Sequence, residues 1–188
     1  MRAIMDFDQL IKNAMSTKRY GHSIRVAETA SKLAQAYQIN PHAAYQAGLL
    51  HDYCKELPKS ELVKLAIEGQ LITSREDLLM PQVLHGPVAA YVLEQKGYVT
   101  DVRILQAIKY HTTGHPDMGM LAKIIFVADY IEPGRKTPGI EGMFEQAKNN
   151  IDDCIVSIVN DTITYLISGE KIMHGDMIRL RNRLLIKE

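Results

Sequence analysis

The densest chemistry in the chain is the pair His51-Asp52, which follows directly on the apolar run Ala47-Gly48-Leu49-Leu50. Such a run goes to the interior, and a carboxylate carried in with it is strongly disfavoured unless a partner offsets its lost hydration. A metal ion is one efficient partner. Asp129 poses the same problem, because it continues the i, i+4 line Leu121, Ile125, Asp129 on a segment made mostly of Ile, Phe, Val and Ala. His111 extends the line Ile104, Ile108, and His85 stands immediately before Gly86-Pro87, so both fall at helix ends, where side chains of different helices converge. His22 lies upstream on a helix of its own. Singly, each of these histidines reads more simply as a hydrogen-bonded core or surface residue. Jointly, an adjacent His-Asp pair, a later Asp on an apolar helix and an upstream His supply the elements of a facial His/carboxylate metal site.

The elements that must position these residues are helical, since no stretch shows strict apolar/polar alternation bounded by hairpin turns. Phe7, Leu10, Ile11, Ala14 and Met15 give an opening amphipathic helix, and Tyr20, Ile24, Ala27, Ala34 and Tyr37 mark a second, with His22 near its start. Asn40 and Pro41 make an N-cap and first-turn pair for a third helix carrying Ala44, Ala47, Leu50 and His51. Pro58 reads as a stop. Helices are then expected over 59–68, 74–80, 86–96 and 101–111, with Gly97 as a helix end, followed by one from near Met118 to Asp129 or Tyr130. The stretch EPGRKTPG must be a loop. Beyond it the pattern predicts one long helix from about Ile140 to Ile167 and a shorter one carrying Ile178, Arg181 and Leu185. The fold class is therefore all-α, as one domain: 188 residues that are 46% apolar are enough for one sizeable core and not obviously for two.

Composition narrows the function classes. Lys plus Arg and Asp plus Glu both number 22, so no excess charge drives sequence-independent nucleic-acid binding, and 6% aromatic content offers little for stacking along a strand. The opening MRAIMDFDQL carries two aspartates where a signal peptide needs its apolar stretch, and no run approaches a membrane helix, so the expectation is a soluble cytoplasmic protein with neither membrane nor nucleic-acid partner. A homodimer stays open. Cys54 and Cys154 are too few for a disulfide framework or a thiolate cage, and Cys54 has no base partner that would make it a nucleophile.

A lone His-Asp dipeptide is weak, but its surroundings are more specific: RYGHSIRVA around His22, AGLLHDYCKELP, LHGPVAA around His85, KYHTTG around His111, ADYIEPGR around Asp129, and IMHGDMIRLRNRLL near the end. Through His22, His51-Asp52 and Asp129 the chain matches the H…HD…D pattern of the HD superfamily. Over nearly its whole length from about Thr17 it resembles the YqeK-type HD hydrolases, the bacterial symmetrical bis(5'-nucleosyl)-tetraphosphatases. Gly21 stands where that family usually has an acidic residue, and His115 where it has small or basic ones. Neither departure removes a ligand. The resemblance implies a helical-bundle core over about 17–135, with the C-terminal helices completing a nucleotide pocket.

It also implies two divalent metal ions. His22, His51, Asp52 and Asp129 would hold one, and His85 and His111 the other, with Asp52 bridging. Four imidazoles and two carboxylates without a thiolate suit iron, manganese or zinc, and the resemblance favours iron. The implied reaction is symmetrical hydrolysis of diadenosine tetraphosphate to two ADP by a metal-bound hydroxide, since coordination lowers the pKa of water from ~15.7 to roughly 7. Asp52, Lys55 and Arg135 would carry the catalysis. Arg19, one turn before His22, and Lys55, one turn after His51, can lean over the centre; a solvated surface position is the bland alternative for each. Thr112, Thr113, Arg135 and Thr137 offer further donors to the nucleotide, which the six metal ligands also touch. Gly169, Ile172 and His174 would line its nucleoside pocket, although His174 also reads as a plain helix cap. His42 and His115 read as surface residues. Two rivals remain: another HD-type nucleotide phosphohydrolase, acting on monophosphates or cyclic nucleotides, and a non-catalytic nucleotide-sensing module, which the full ligand set argues against.

Overall fold

The computed structural model describes residues 6–136, 140 and 142–186; Thr137 lies outside them. Among the described residues there are eleven α-helices, one 3-10 turn and no strand. Helices α1 (Phe7–Ala14), α2 (Thr17–Ala36) and α3 (Pro41–Leu50) start where the sequence signals them. The Asn40 side chain accepts from the backbone N–H groups of His42 and Ala43, at 2.9 and 3.2 Å, and Pro41 fills the first turn. After α3 the chain turns tightly, and Pro58 proves to be the residue before α4 (Lys59–Glu68) rather than a stop. Next come α5 (Arg75–Leu79), a 3-10 turn over Pro81–Leu84 that the periodicity did not reveal, and α6 (His85–Gln95), after which Gly97 adopts φ +65°. Helices α7 (Val102–Tyr110) and α8 (Met120–Ile131) follow.

The expected helix over 140–167 is two helices, α9 (Met143–Asn149) and α10 (Ile151–Ser168). Asn150 separates them with an extended backbone, φ −153° and ψ 102°. Its side chain accepts from Asp152 N–H and Asp153 N–H, and these two acids sit at the positive end of the new helix. The run Asn-Ile-Asp-Asp is a start signal, which the continuous apolar spacing on both sides masks. The last helix is α11 (Gly175–Leu185).

Two close helix crossings decide where the chemistry converges. Helix α3 packs along α2 so tightly that a Cβ at Gly48 would lie 2.7 Å from the Cα of Ala27. In the same way a Cβ at Gly86 would lie 2.9 Å from the carbonyl oxygen of Ile108, where α6 meets α7. Each contact is with backbone, which cannot swing aside, so an added methyl costs about 1–3 kcal/mol of overpacking. The first crossing brings His51 beside His22, and the second brings His85 beside His111. Helix α8 packs on α2, α3 and α7 and supplies the floor; α10 lies against α8, with α11 against α10. Cys54 and Cys154 are buried in this core, and burial pushes their thiols up to about 12 and about 11, as fillers rather than nucleophiles. No helix among the described residues is long and apolar enough to cross a membrane.

Candidate metal centre

The six expected ligands meet in one cluster. His51 ends α3, His111 ends α7, His85 opens α6, and His22 lies in the second turn of α2. All four imidazoles are buried, as is Asp52; Asp129 on α8 keeps 22% of its side chain exposed. Three imidazoles are held by one local device. Nδ1–H of His51, His85 and His111 donates to the carbonyl oxygen three residues earlier, Gly48, Gln82 and Ile108, at 2.6, 2.6 and 2.8 Å. The fourth, His22, donates from Nδ1 to Glu132 Oε1 at 3.1 Å.

With every Nδ1 committed as donor, each neutral ring presents a bare Nε2 lone pair to the centre. These nitrogens face one another: His22 and His51 at 3.3 Å, His85 and His111 at 2.9 Å. Lone pairs repel at that range, so the arrangement calls for a cation or an added proton between them. Asp52 spans both pairs. Its Oδ2 lies 3.6 and 3.3 Å from Nε2 of His22 and His51, and its Oδ1 lies 3.2 and 3.6 Å from Nε2 of His85 and His111. Asp129 Oδ1 joins the first pair only, 3.1 Å from His22 and 3.9 Å from His51. His22, His51 and Asp129 form one group able to hold a metal, and His51, Asp52 and His111 another. The donor set therefore fits divalent metal ions of the borderline kind.

The electrostatics are uneven in the same sense. Burial pushes the Asp52 carboxyl up, but His51 beside it and the imidazoles of His111 and His85 outweigh that and hold it well below the usual carboxylate range. Asp129 is likewise held far down, its burial overcome by His22, His51 and Arg135. Burial opposes a charge on His51, yet Asp52 and Asp129 overcome it and raise its pKa. His111, facing only one carboxylate, is pushed down to about 4 by burial. Positive charge is thus drawn most strongly to the side where His51 meets both acids.

Four further groups surround the cluster. Arg19 Nη1 donates to Asp52 Oδ2 at 2.7 Å, and Arg135 donates from Nη2 to Asp129 Oδ1 at 2.6 Å and from Nε to its carbonyl at 3.1 Å. Lys55 Nζ donates to His85 Nε2 at 3.2 Å; burial pushes its pKa down, against the pull of Asp52 and Asp129. The Thr112 hydroxyl lies 3.1 and 3.0 Å from Nε2 of His85 and His111. Beside Thr112 opens a cleft of about 510 Å³ whose walls include Val83, Leu166, Ile172, His174 and Met177. Ile172 and His174 thus stand where a pocket was expected. Gly169 does not line that cleft; it ends α10, its N–H reaching Tyr165 O at 3.2 Å. Thr113 Oγ1 donates to Gly114 O, and its side chain borders the same cleft. His42 is exposed, whereas His115 is half-buried and stacks on Tyr110.

Sequence reasoning missed two carboxylates. Glu132, buried directly after α8, holds His22 and accepts from Arg25 Nε at 2.5 Å and Gly134 N–H at 2.6 Å. Burial pushes its pKa up, but Arg25, Gly134 and His22 together hold it below its ordinary value. Only its place three residues after Asp129, before Pro133, hinted at a role. Asp77 on α5 accepts from Thr73 N–H, Ser74 N–H and His174, whose Nε2 lies 3.1 Å away; His174 Nδ1 accepts from Asp176 N–H and so caps α11. His174 is therefore both a helix cap and a fixed piece of the cleft wall.

The profile described as HD domain matches residues 19–134. The chain is 39% identical over 182 residues to the symmetrical bis(5'-nucleosyl)-tetraphosphatase of Halalkalibacterium halodurans, covering 96% of each chain. It is 39% identical over 178 residues to that of Staphylococcus aureus, covering 93% of this chain and 90% of the relative. A crystal structure of a predicted HD superfamily hydrolase involved in NAD metabolism, from Clostridium acetobutylicum, superposes with a TM-score of 0.92 at 32% identity and covers 95% of both chains.

Proposed function

The chain belongs to the HD domain family, and on that footing we propose that it hydrolyses diadenosine tetraphosphate symmetrically to two ADP, using two divalent metal ions. The observation that carries this is the split of Asp52, one carboxylate oxygen turned to each pair of imidazoles. When bound, such ions acidify water and polarise a phosphoryl oxygen. His22, His51, Asp52 and Asp129 would hold one and His85 and His111 the other, with Asp52 shared; the nitrogen and oxygen donors suit iron, manganese or zinc alike, and iron is favoured by the family resemblance alone. Asp52 and Asp129 offset only part of the charge of two divalent ions, so the site attracts polyphosphate.

The chain's own residues then do the positioning. Arg19 and Arg135 flank the cluster from opposite carboxylates, and each planar guanidinium can clamp phosphate oxygens. Lys55, close to His85, neutralises charge gathering on the departing ADP. Thr112 offers a hydroxyl to a non-bridging oxygen, and Thr137 belongs to the same reading through the family resemblance alone. One nucleoside lies in the cleft walled by Leu166, Ile172 and His174.

Protein purified without chelator is expected to carry close to two transition-metal ions per chain and to yield ADP as sole product, with heavy-oxygen water labelling one ADP per turnover. ATP plus AMP as products would show an outer phosphate being cut. Cleavage of nucleoside monophosphates or cyclic nucleotides instead would move the activity to another HD hydrolase, and metal-loaded protein without hydrolysis would leave a sensing module.

A further inference from the structure

A substrate cut at its middle presents two identical arms, yet the cleft beside Thr112 accounts for one nucleoside. A second cleft, of about 300 Å³, adjoins the first, with Val83, Thr113 and His174 lining both. It begins one residue beyond Thr112, whose hydroxyl touches the Nε2 atoms of His85 and His111. Consecutive Cα atoms lie ~3.8 Å apart, so Thr113 on the wall of this cleft is a close neighbour of Thr112 at the metal centre.

The far side of this cleft has a feature the hydrolytic centre does not use. The His115 ring lies face to face with Tyr110, centroids 4.5 Å apart and planes 17° from parallel. His115 keeps 29% of its side chain exposed and borders the cleft, and the Lys109 ammonium lies 5.5 Å from the Tyr110 centroid. Arg179 also lines the cleft, paired with Asp176 at 2.8 Å. A half-exposed ring backed by a second ring suits a nucleobase, because every base offers a π-face to an aromatic ring.

We propose that this cleft binds the second nucleoside of the dinucleoside polyphosphate, with His115, backed by Tyr110, as its stacking shelf. The proposal rests on the tetraphosphatase reading of the metal centre. The two arms of a symmetrical substrate are then held by unlike walls, one mainly aliphatic and one carrying the aromatic shelf.

The test compares diadenosine tetraphosphate with adenosine 5'-tetraphosphate, which has the same four phosphates and one nucleoside. In His115→Ala the ratio of kcat/KM for the first substrate to that for the second is expected to fall about tenfold, the scale of one lost base–aromatic stack. His115→Phe keeps a ring but loses the Nδ1 that accepts from Asp117 N–H at 3.1 Å, so restoration of the ratio by Phe separates stacking from shaping of the turn. A ratio unchanged in His115→Ala overturns the proposal, whether both activities hold or both fall together, and so does a ratio that Phe fails to restore. Should the wild type cleave only the two-nucleoside substrate, ADP binding to the metal-loaded chain decides: two per chain in the wild type and one in His115→Ala support the shelf, and two in both overturn it. A wild type inactive on both substrates is a failure of the tetraphosphatase reading itself, visible before any variant is made.

Discussion

The two halves of the candidate metal centre are built differently. On one side His85 and His111 are each fixed by a carbonyl three residues back and share one oxygen of Asp52. On the other, His51 has the same local anchor, but His22 depends on Glu132, 110 residues away, and a second carboxylate, Asp129, joins in. The first half is therefore set by the ends of two helices and their crossing, whereas the second is set by a buried relay that also reaches Arg25 and Gly134. A relay of this kind ties the candidate ligand His22 to the start of the loop that carries Arg135.

The shared member of both halves gives the largest expected effect. Asp52→Ala removes the one group facing all four imidazoles, and both metals should be lost, with kcat/KM falling on the order of a thousandfold or more. His85→Ala combined with His111→Ala should remove one metal while helicity persists. Metal analysis of the folded proteins checks both, and a double variant that keeps two metals would dissolve the division into halves.

Glu132→Ala sharpens the same comparison at a smaller scale. Loss of a carboxylate that orients a ligating imidazole typically weakens metal affinity about 10- to 100-fold. Stepwise removal by chelator should then release the metal of the His22 side first, and Glu132→Gln, which can still accept from Nδ1–H, should recover part of the affinity. Equal release from both sides would mean that the relay does not hold His22.

Lys55→Ala and Arg135→Ala should have the smallest effect of the series, lowering kcat/KM about 10- to 100-fold, the value of one charge-assisted hydrogen bond to phosphate. Metal content should stay at the wild-type level in both. Loss of metal together with activity in Arg135→Ala would assign that residue to holding Asp129 rather than to the phosphate.

The amino-acid sequence by itself singled out the six candidate ligands and most of the helices that carry them. His51-Asp52 after an apolar run and Asp129 on an apolar helix are local patterns, and local patterns survive in one dimension. Asn40-Pro41 and Gly97 marked helix ends for the same reason. The start of α10 at Asn150 was legible too, but the apolar period running through it is the stronger signal and conceals the cap. Only the tertiary structure decided which oxygen of Asp52 faces which pair, that Glu132 reaches back to His22, and that Asp77 fixes His174. Glu132 and His22 are 110 residues apart, and Asp77 and His174 are 97 apart. Their distances depend on how closely helices cross at Gly48 and Gly86, where backbone meets backbone, and such packing has no trace in the spacing of residues along the chain.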